Sequence, residues 1–189
     1  MTEAFINLDE KALKQAETFL HGMPKLAPKA IVRAMNRTIK SVRAEASRQV
    51  RAEYTVKAGD FKEHVKIKKA TPKDLEAEFR GTSLKQTMSL SHFKIQPRTD
   101  TTGNKQRPVK ATIKKGSPFK VDKGFVWKGN VFHRNGREHL PIKVMSGPTV
   151  PRMLNDDEII KKLRQEAQKT FEKRLEHEIS ASIKGLSKS

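Results

Sequence analysis

Six histidines, at His21, His64, His92, His133, His139 and His177, together with 21 Asp and Glu and no cysteine, are the residues from which acid–base or metal chemistry would have to be built. Only His133 and His139, with Glu138 beside the second, stand close enough in sequence to suggest a site. Zinc asks for ligands at firm spacing on a helix or tight turn and for a third donor, and "HRNGREH" does not show that spacing. A carboxylate cluster could be sought at Asp156, Asp157 and Glu158, but these acids open an amphipathic run, where they suit the positive end of a helix dipole. The chain has no phosphate-binding glycine loop, no dinucleotide glycine pattern and no nucleophile elbow. The expectation is therefore a protein that is not an enzyme, with no catalytic residue, no metal and no cofactor; a metal-dependent enzyme built on His133 and His139 is the weak alternative.

The residues left to carry function are cations. Forty Lys and Arg give a net charge of +19 and a pI near 10.2, a balance that favours nucleic acid or acidic protein surfaces as partners. Residues 94–152 hold 14 Lys and Arg against three acids, a net of +11 in 59 residues. Lys105, Arg107, Lys110, Lys114 and Lys115 form the candidate patch for DNA or an acidic partner, because Lys110 and Lys114 have no acidic mate in nearby sequence. The lack of cysteine excludes disulfides and fits maturation in a reducing cytoplasm. No apolar run approaches the roughly 20 residues of a membrane span, and "MTEAFINLDEKAL" lacks a signal pattern. No membrane partner is expected.

The positioning elements follow from hydrophobic period. At 189 residues a single domain, 1–189, is the expectation. Residues 8–54 read as helical. A first helix in "NLDEKALKQAETFLHG" has Asn7 or Asp9 as its cap and Leu13, Ala16, Phe19 and Leu20 as its stripe. A second, from near Pro28, carries Ile31, Met35, Thr38 or Ile39, Val42, Ala46, Val50 and Tyr54 at three- and four-residue steps. Its other face bears Lys29, Arg33, Arg37, Lys40, Arg43, Arg48 and Arg51, as a solvated face or a binding ridge.

From Val65 the period becomes 2, and residues 65–134 read as β-rich. "VKIKK" and "LEAEF" form a hairpin in which Val65 faces Phe79, Lys66 faces Glu78 and Lys68 faces Glu76. Further strands are expected at 87–95, 108–116 and 124–134, the last a hairpin turning at Lys128 to Asn130, all in one antiparallel sheet with a buried face. A polar stretch, 96–107, reads as a mobile loop. The aromatics Phe119, Phe125, Trp127 and Phe132 suit a core more than base stacking. Residues 135–154 form a rigid connector, with Pro151 fixing an extended entry to a last helix at 155–184. That helix is capped by Asn155 or Asp156 and striped by Ile159, Leu163, Ala167, Phe171, Leu175, Ile179 and Ile183. A strict four-residue step drifts about 40° each time, so either the helix curves, its far end packs on something else such as a neighbouring subunit, or it frays after Ile179. The fold class is α+β, an antiparallel β-sheet packed against long N-terminal and C-terminal helices.

Two blocks carry a resemblance. "AIVRAMNRTIKSVRAEASRQVRAEYTVKAGDFKEHVKIKKAT" resembles the N-terminal signature of the phage and prophage minor tail protein Z family, the lambda-type tail completion proteins: an Ala- and Arg-rich helix with an Arg-Ala-x-Asn core, then Tyr, a short helical turn and a strand. "VFHRNGREHLPIKVMSGPTVPRML" is similar to its second signature, where Phe and Arg precede Leu-Pro-Ile and then Gly-Pro-x-Val-Pro. Neither block covers the loop at 96–107.

The resemblance implies a structural virion protein of the tail or neck, made in the bacterial host cytoplasm and acting late in tail assembly at the head-proximal end, where tail joins head. By analogy with tail-completion proteins it implies a ring, with sixfold symmetry, around the DNA channel. The implied partners are the tail terminator and head–tail connector proteins, further copies of the chain, and DNA in the channel. By position in the signatures, Arg33, Asn36, Arg37, Arg134, Pro141, Gly147, Pro148 and Pro151 are the candidate assembly interface. A sequence-independent nucleic-acid-binding protein is the alternative, motivated by the charge.

Overall fold

The computed structural model describes residues 14, 18, 27–83, 87–98, 108–136, 138 and 140–186. Of the first expected helix only Lys14 and Thr18, both helical, are among them, and residues 99–107 of the expected loop lie outside. The fold is α+β. In order come α1 (Ala27–Glu53), α2 (Ala58–Glu63), β1 (Val65–Lys68), β2 (Glu78–Gly81), β3 (Met88–Ser89), a 3-10 turn at Leu90–His92, β4 (Lys94–Gln96) and β5 (Val109–Thr112). They are followed by β6 (Pro118–Val121), β7 (Gly124–Trp127), β8 (Asn130–Arg134), β9 (Ile142–Val144), β10 (Ser146–Gly147), α3 (Val150–Leu154) and α4 (Asp157–Leu186). Among the described residues the strands make four small antiparallel sheets, β1–β2, β10–β3, β4–β5–β6 and β7–β8–β9, in place of the single sheet expected.

The chain divides into two compact units. The first takes its described residues from Met1–Ala46, Val65–Thr82 and Leu154–Ser189, the second from Ser47–His64 and Ser83–Met153. In the first, α1 buries Ile31, Ala34, Met35, Ile39, Val42 and Ala46, the stripe its spacing predicts. Thr38 is buried within this stripe and donates its hydroxyl to the Ala34 carbonyl at 2.9 Å, which satisfies the polar group inside the core. Pro28 falls in the first turn, where its missing N–H costs nothing. Helix α4 buries Ile159, Leu163, Ala167, Phe171 and Leu175. There the four-residue step ends: the next buried position is Glu178, Ile179 packs against Ala27 and Ala30, and Ile183 is 51 % exposed. The helix does not fray after Ile179 but continues to Leu186. Asp156 is its cap, accepting from the Glu158 N–H at 3.0 Å.

The hairpin β1–β2 has a register two residues from the one expected: Val65 pairs with Gly81, Lys66 with Arg80, Ile67 with Phe79 and Lys68 with Glu78. The turn explains it. Thr71 and Asp74 close on one another through two backbone hydrogen bonds of 2.8 and 3.1 Å. Continued without interruption, that bridge would set Val65 against Arg80 and Lys66 against Phe79, apolar opposite charged. One arm has two residues, Lys69 and Ala70, before the ladder begins; the other has three, Leu75 to Ala77. The extra residue acts as a bulge and returns every apolar side chain to the buried face.

In the second unit the segment read as one strand at 87–95 is broken. The Ser89 hydroxyl accepts from the Ser91 N–H, and the resulting turn buries Leu90 and Phe93, a local bond that competes with the ladder. The stretch after α1 runs along β5: Thr55 N–H donates to Ile113, Lys115 N–H to Glu53, and the Thr55 hydroxyl donates to the Thr112 carbonyl while accepting from Lys94 N–H. The β7–β8 hairpin turns at Lys128 and Gly129, both at positive φ (46° and 74°), the backbone a two-residue turn of this hand requires.

Candidate functional site

In the first unit Arg33, Asn36 and Arg37 stand one helical turn apart on α1. The Asn36 side chain reaches Ala70. Its side-chain amide donates to the Ala70 carbonyl and accepts from the Ala70 N–H, each at 2.9 Å. Ala70 lies on the shorter arm, between the ladder and the Thr71–Asp74 bridge, and has no ladder partner, so Asn36 serves as the missing strand for it. Arg33 and Arg37 reach Glu178 on α4 at 3.8 and 3.3 Å. The Glu178 side chain is 5 % exposed while the two guanidinium side chains are more than half exposed. Although Arg37 is within ion-pair range of Oε1, that oxygen receives no aligned hydrogen bond; charge, not directed donation, holds the triad, and solvent screens it.

In the second unit the later signature residues separate by role. Arg134 ends β8, stacks its guanidinium 4.5 Å above the Phe125 ring and leaves a buried Nε with no partner. Pro141, exposed, follows a cis peptide and leads into β9. Gly147 pairs with Met88 under the Phe93 ring; a Cβ there would lie 2.9 Å from Phe93 Cε2 and 3.2 Å from Ile113 Cδ1. Gly147→Ala should therefore cost about 1–3 kcal/mol by overpacking a rigid ring, read as a lower urea midpoint at constant slope. Pro148 is half-buried. Pro151, expected in extended chain, instead lies in the first turn of α3, where its fixed φ suits a helix start.

One face of the β7–β8–β9 sheet carries Phe125, Trp127, Phe132, Arg134, Ile142 and Val144 by register. Phe125 is buried as expected and stacks on Phe132 with centroids 5.6 Å apart. Trp127 and Phe119 are not core residues: they are 40 % and 38 % exposed. Lys128 covers the Trp127 ring at 4.9 Å.

The candidate cationic patch is also redistributed. Lys105 and Arg107 lie outside the described residues. Lys114 faces the Tyr54 ring at 5.6 Å, and Lys115 is exposed in a turn. Lys110 lies on β5, with Gln96 on one side and Lys120 on the other. Position in sequence could not show this, because the grouping depends on register. In the β1–β2 hairpin, by contrast, Lys68 bonds Glu76 at 2.8 Å and lies 3.0 Å from Asp74; the hydrogen bonds to Glu76 and then Asp74 hold its pKa above the ordinary lysine range.

His133 sits half-buried on β8 opposite Lys143, and His139 is outside the described residues. The arrangement that sequence spacing missed is Asp60 with His92, whose Nδ1 is 3.1 Å from the carboxylate, and His64, whose ring is 6.2 Å from that of His92. Residues 60, 64 and 92 are brought together by α2 and the 3-10 turn. Among the described residues no group of three His, Cys, Asp or Glu could hold a metal ion, and no helix is long and apolar enough to cross a membrane.

Clamped turns, a stacked aromatic sheet face and exposed lysines are the features these units present. The family model for Prophage minor tail protein Z (GPZ) matches residues 10–188, and the chain belongs to that family: it is a phage minor tail protein, a structural component of the virion tail. No curated protein and no solved structure matches it.

Proposed function

We propose that this minor tail protein acts without catalysis at the head-proximal end of the tail, completing it for joining to the head. The observation that carries this reading is the family match across residues 10–188, which takes in both signature segments. Copies form a ring, sixfold, around the channel through which DNA passes, and meet the tail terminator and head–tail connector proteins at the neck after synthesis in the host cytoplasm. The aromatic face of β7–β8–β9 supports a contact between neighbouring copies: Trp127, Phe132 and Arg134 are residue types enriched at protein interfaces, and Val144 adds exposed apolar surface beside them. Pro141 then borders the contact, while Asn36 and Gly147 shape the units that present it.

The test is complementation. Purified chain is added, with nuclease and at physiological salt, to isolated tails lacking their own completion protein. Saturable binding at the head-proximal end and restored joining to filled heads is the expected result; tails that neither bind the chain nor need it for joining would overturn the reading.

A further inference from the structure

Three lysines come together on the outer face of the β4–β5–β6 sheet. Register places Lys94 beside Thr112 and Pro118, and Gln96 beside Lys110 and Lys120. The opposite face holds Ile95, Val109, Ala111, Phe119 and Val121. Lys110 and Lys120 are direct cross-strand partners, about 5 Å apart at Cβ, and Lys94 is a diagonal neighbour of Lys110 at about 7–8 Å. All three are exposed, none of the three strands contains an acid, and among the described residues no ion pair reaches any of them. Like charges directly opposite one another destabilise a ladder. In the β1–β2 hairpin the chain neutralises Lys68 with Glu76 and Asp74, and the cation facing Lys66, Arg80, has Glu78 at 3.8 Å; the strands β4, β5 and β6 supply no such acid.

We infer that this sheet face binds the phosphate backbone of duplex DNA without reading its sequence. Two features of the face select that partner. Apart from Pro118 it is wholly polar, and lysine is depleted where proteins bury one another, so an acidic protein would find no apolar centre here. No aromatic side chain lies on it, so it offers no platform for the unstacked bases of a single strand. What remains is a set of mobile point charges, flanked by the hydrogen-bonding groups of Gln96 and Thr112, matched to phosphate oxygens on a duplex. This surface differs from the aromatic face assigned above to protein neighbours, and the inference holds wherever in the particle the chain sits.

Each phosphate neutralised contributes about 0.9 to the slope of log affinity against log salt. Three lysine contacts give about 2.7, or about 40-fold weaker binding between about 50 and about 200 mM salt. The full chain is titrated with a fluorescently labelled duplex of arbitrary sequence over that range. Lys94→Gln with Lys110→Gln and Lys120→Gln should lower the slope by about 2.7 without lowering the thermal melt, since the opposed charges are removed. The same charge removed from α4, in Lys161→Gln with Lys169→Gln and Lys173→Gln, should leave the slope alone. If the sheet triple fails to fold, Lys110→Gln alone should still lower the slope by about 0.9. An unchanged slope in the sheet variants overturns the inference. So does an equal fall in the α4 control, which would mean net charge alone, or intact duplex binding with lost binding to isolated tails, which would give the face to an acidic protein.

Discussion

Phe171→Ala should lower the unfolding free energy of the free chain by about 3–5 kcal/mol, the cost of removing a large aromatic side chain from a closed core. Phe171 lies midway along α4 and is 1 % exposed. The winding of its four-residue stripe left open whether the helix curves, packs its far end on something else such as a neighbouring subunit, or frays after Ile179. Burial without any partner chain decides for the core as far as Leu175. Ile183, in the same register but turned out to solvent, provides the internal comparison: Ile183→Ser should shift stability by no more than about 0.5 kcal/mol. Urea unfolding followed by helical circular dichroism measures both. Equal, small effects for the two substitutions would show that the stripe is interface along its length. A large effect for Phe171 and none for Ile183 divides α4 into a part that builds the unit and an end that is available for contacts.

The helices were legible because their period is local. Ile31 through Val50 on α1 and Ile159 through Leu175 on α4 follow from spacing alone, since a helix that buries one stripe needs no knowledge of its neighbours. The strands were less so. The β1–β2 register depends on where a turn closes, and Thr71 to Asp74 closes it one bulge away from the simplest alignment. The strand read at 87–95 is divided by the hydroxyl of Ser89, a bond worth little by itself but aimed at the Ser91 amide before a partner strand can take it. Sites suffer most from this. Lys94, Lys110 and Lys120 are separated by up to 26 positions in the chain and become one surface only through two ladders. Asp60, His64 and His92 meet through tertiary packing in the same way. Asn36 was legible as the asparagine of a signature block, but its role was not: nothing in "RAMNRT" shows that Ala70, 34 residues later, lacks a ladder partner.

That role leads to the most discriminating substitution. Asn36→Ala should cost about 2–4 kcal/mol, because it leaves both the N–H and the C=O of buried Ala70 without a partner, at about 1–3 kcal/mol for each group. Partial exposure of Asn36 admits some water and keeps the total below the sum of the extremes. Asn36→Asp separates the two bonds: a carboxylate still accepts from the Ala70 N–H but sets an oxygen against the Ala70 carbonyl, so one attraction is kept and one repulsion gained. Amide hydrogen exchange reads this directly. The Ala70 amide should be protected in the unsubstituted chain, remain partly protected in Asn36→Asp, and exchange freely in Asn36→Ala while Phe79 on β2 stays protected. If Asn36→Ala instead leaves exchange and stability unchanged but abolishes binding to tails, the residue belongs to an assembly contact and the amide clip is incidental. The physical argument favours the fold. An asparagine that makes two hydrogen bonds at 2.9 Å to one backbone residue has little left to offer a partner, and a hairpin whose register depends on a bulge needs the arm opposite that bulge held.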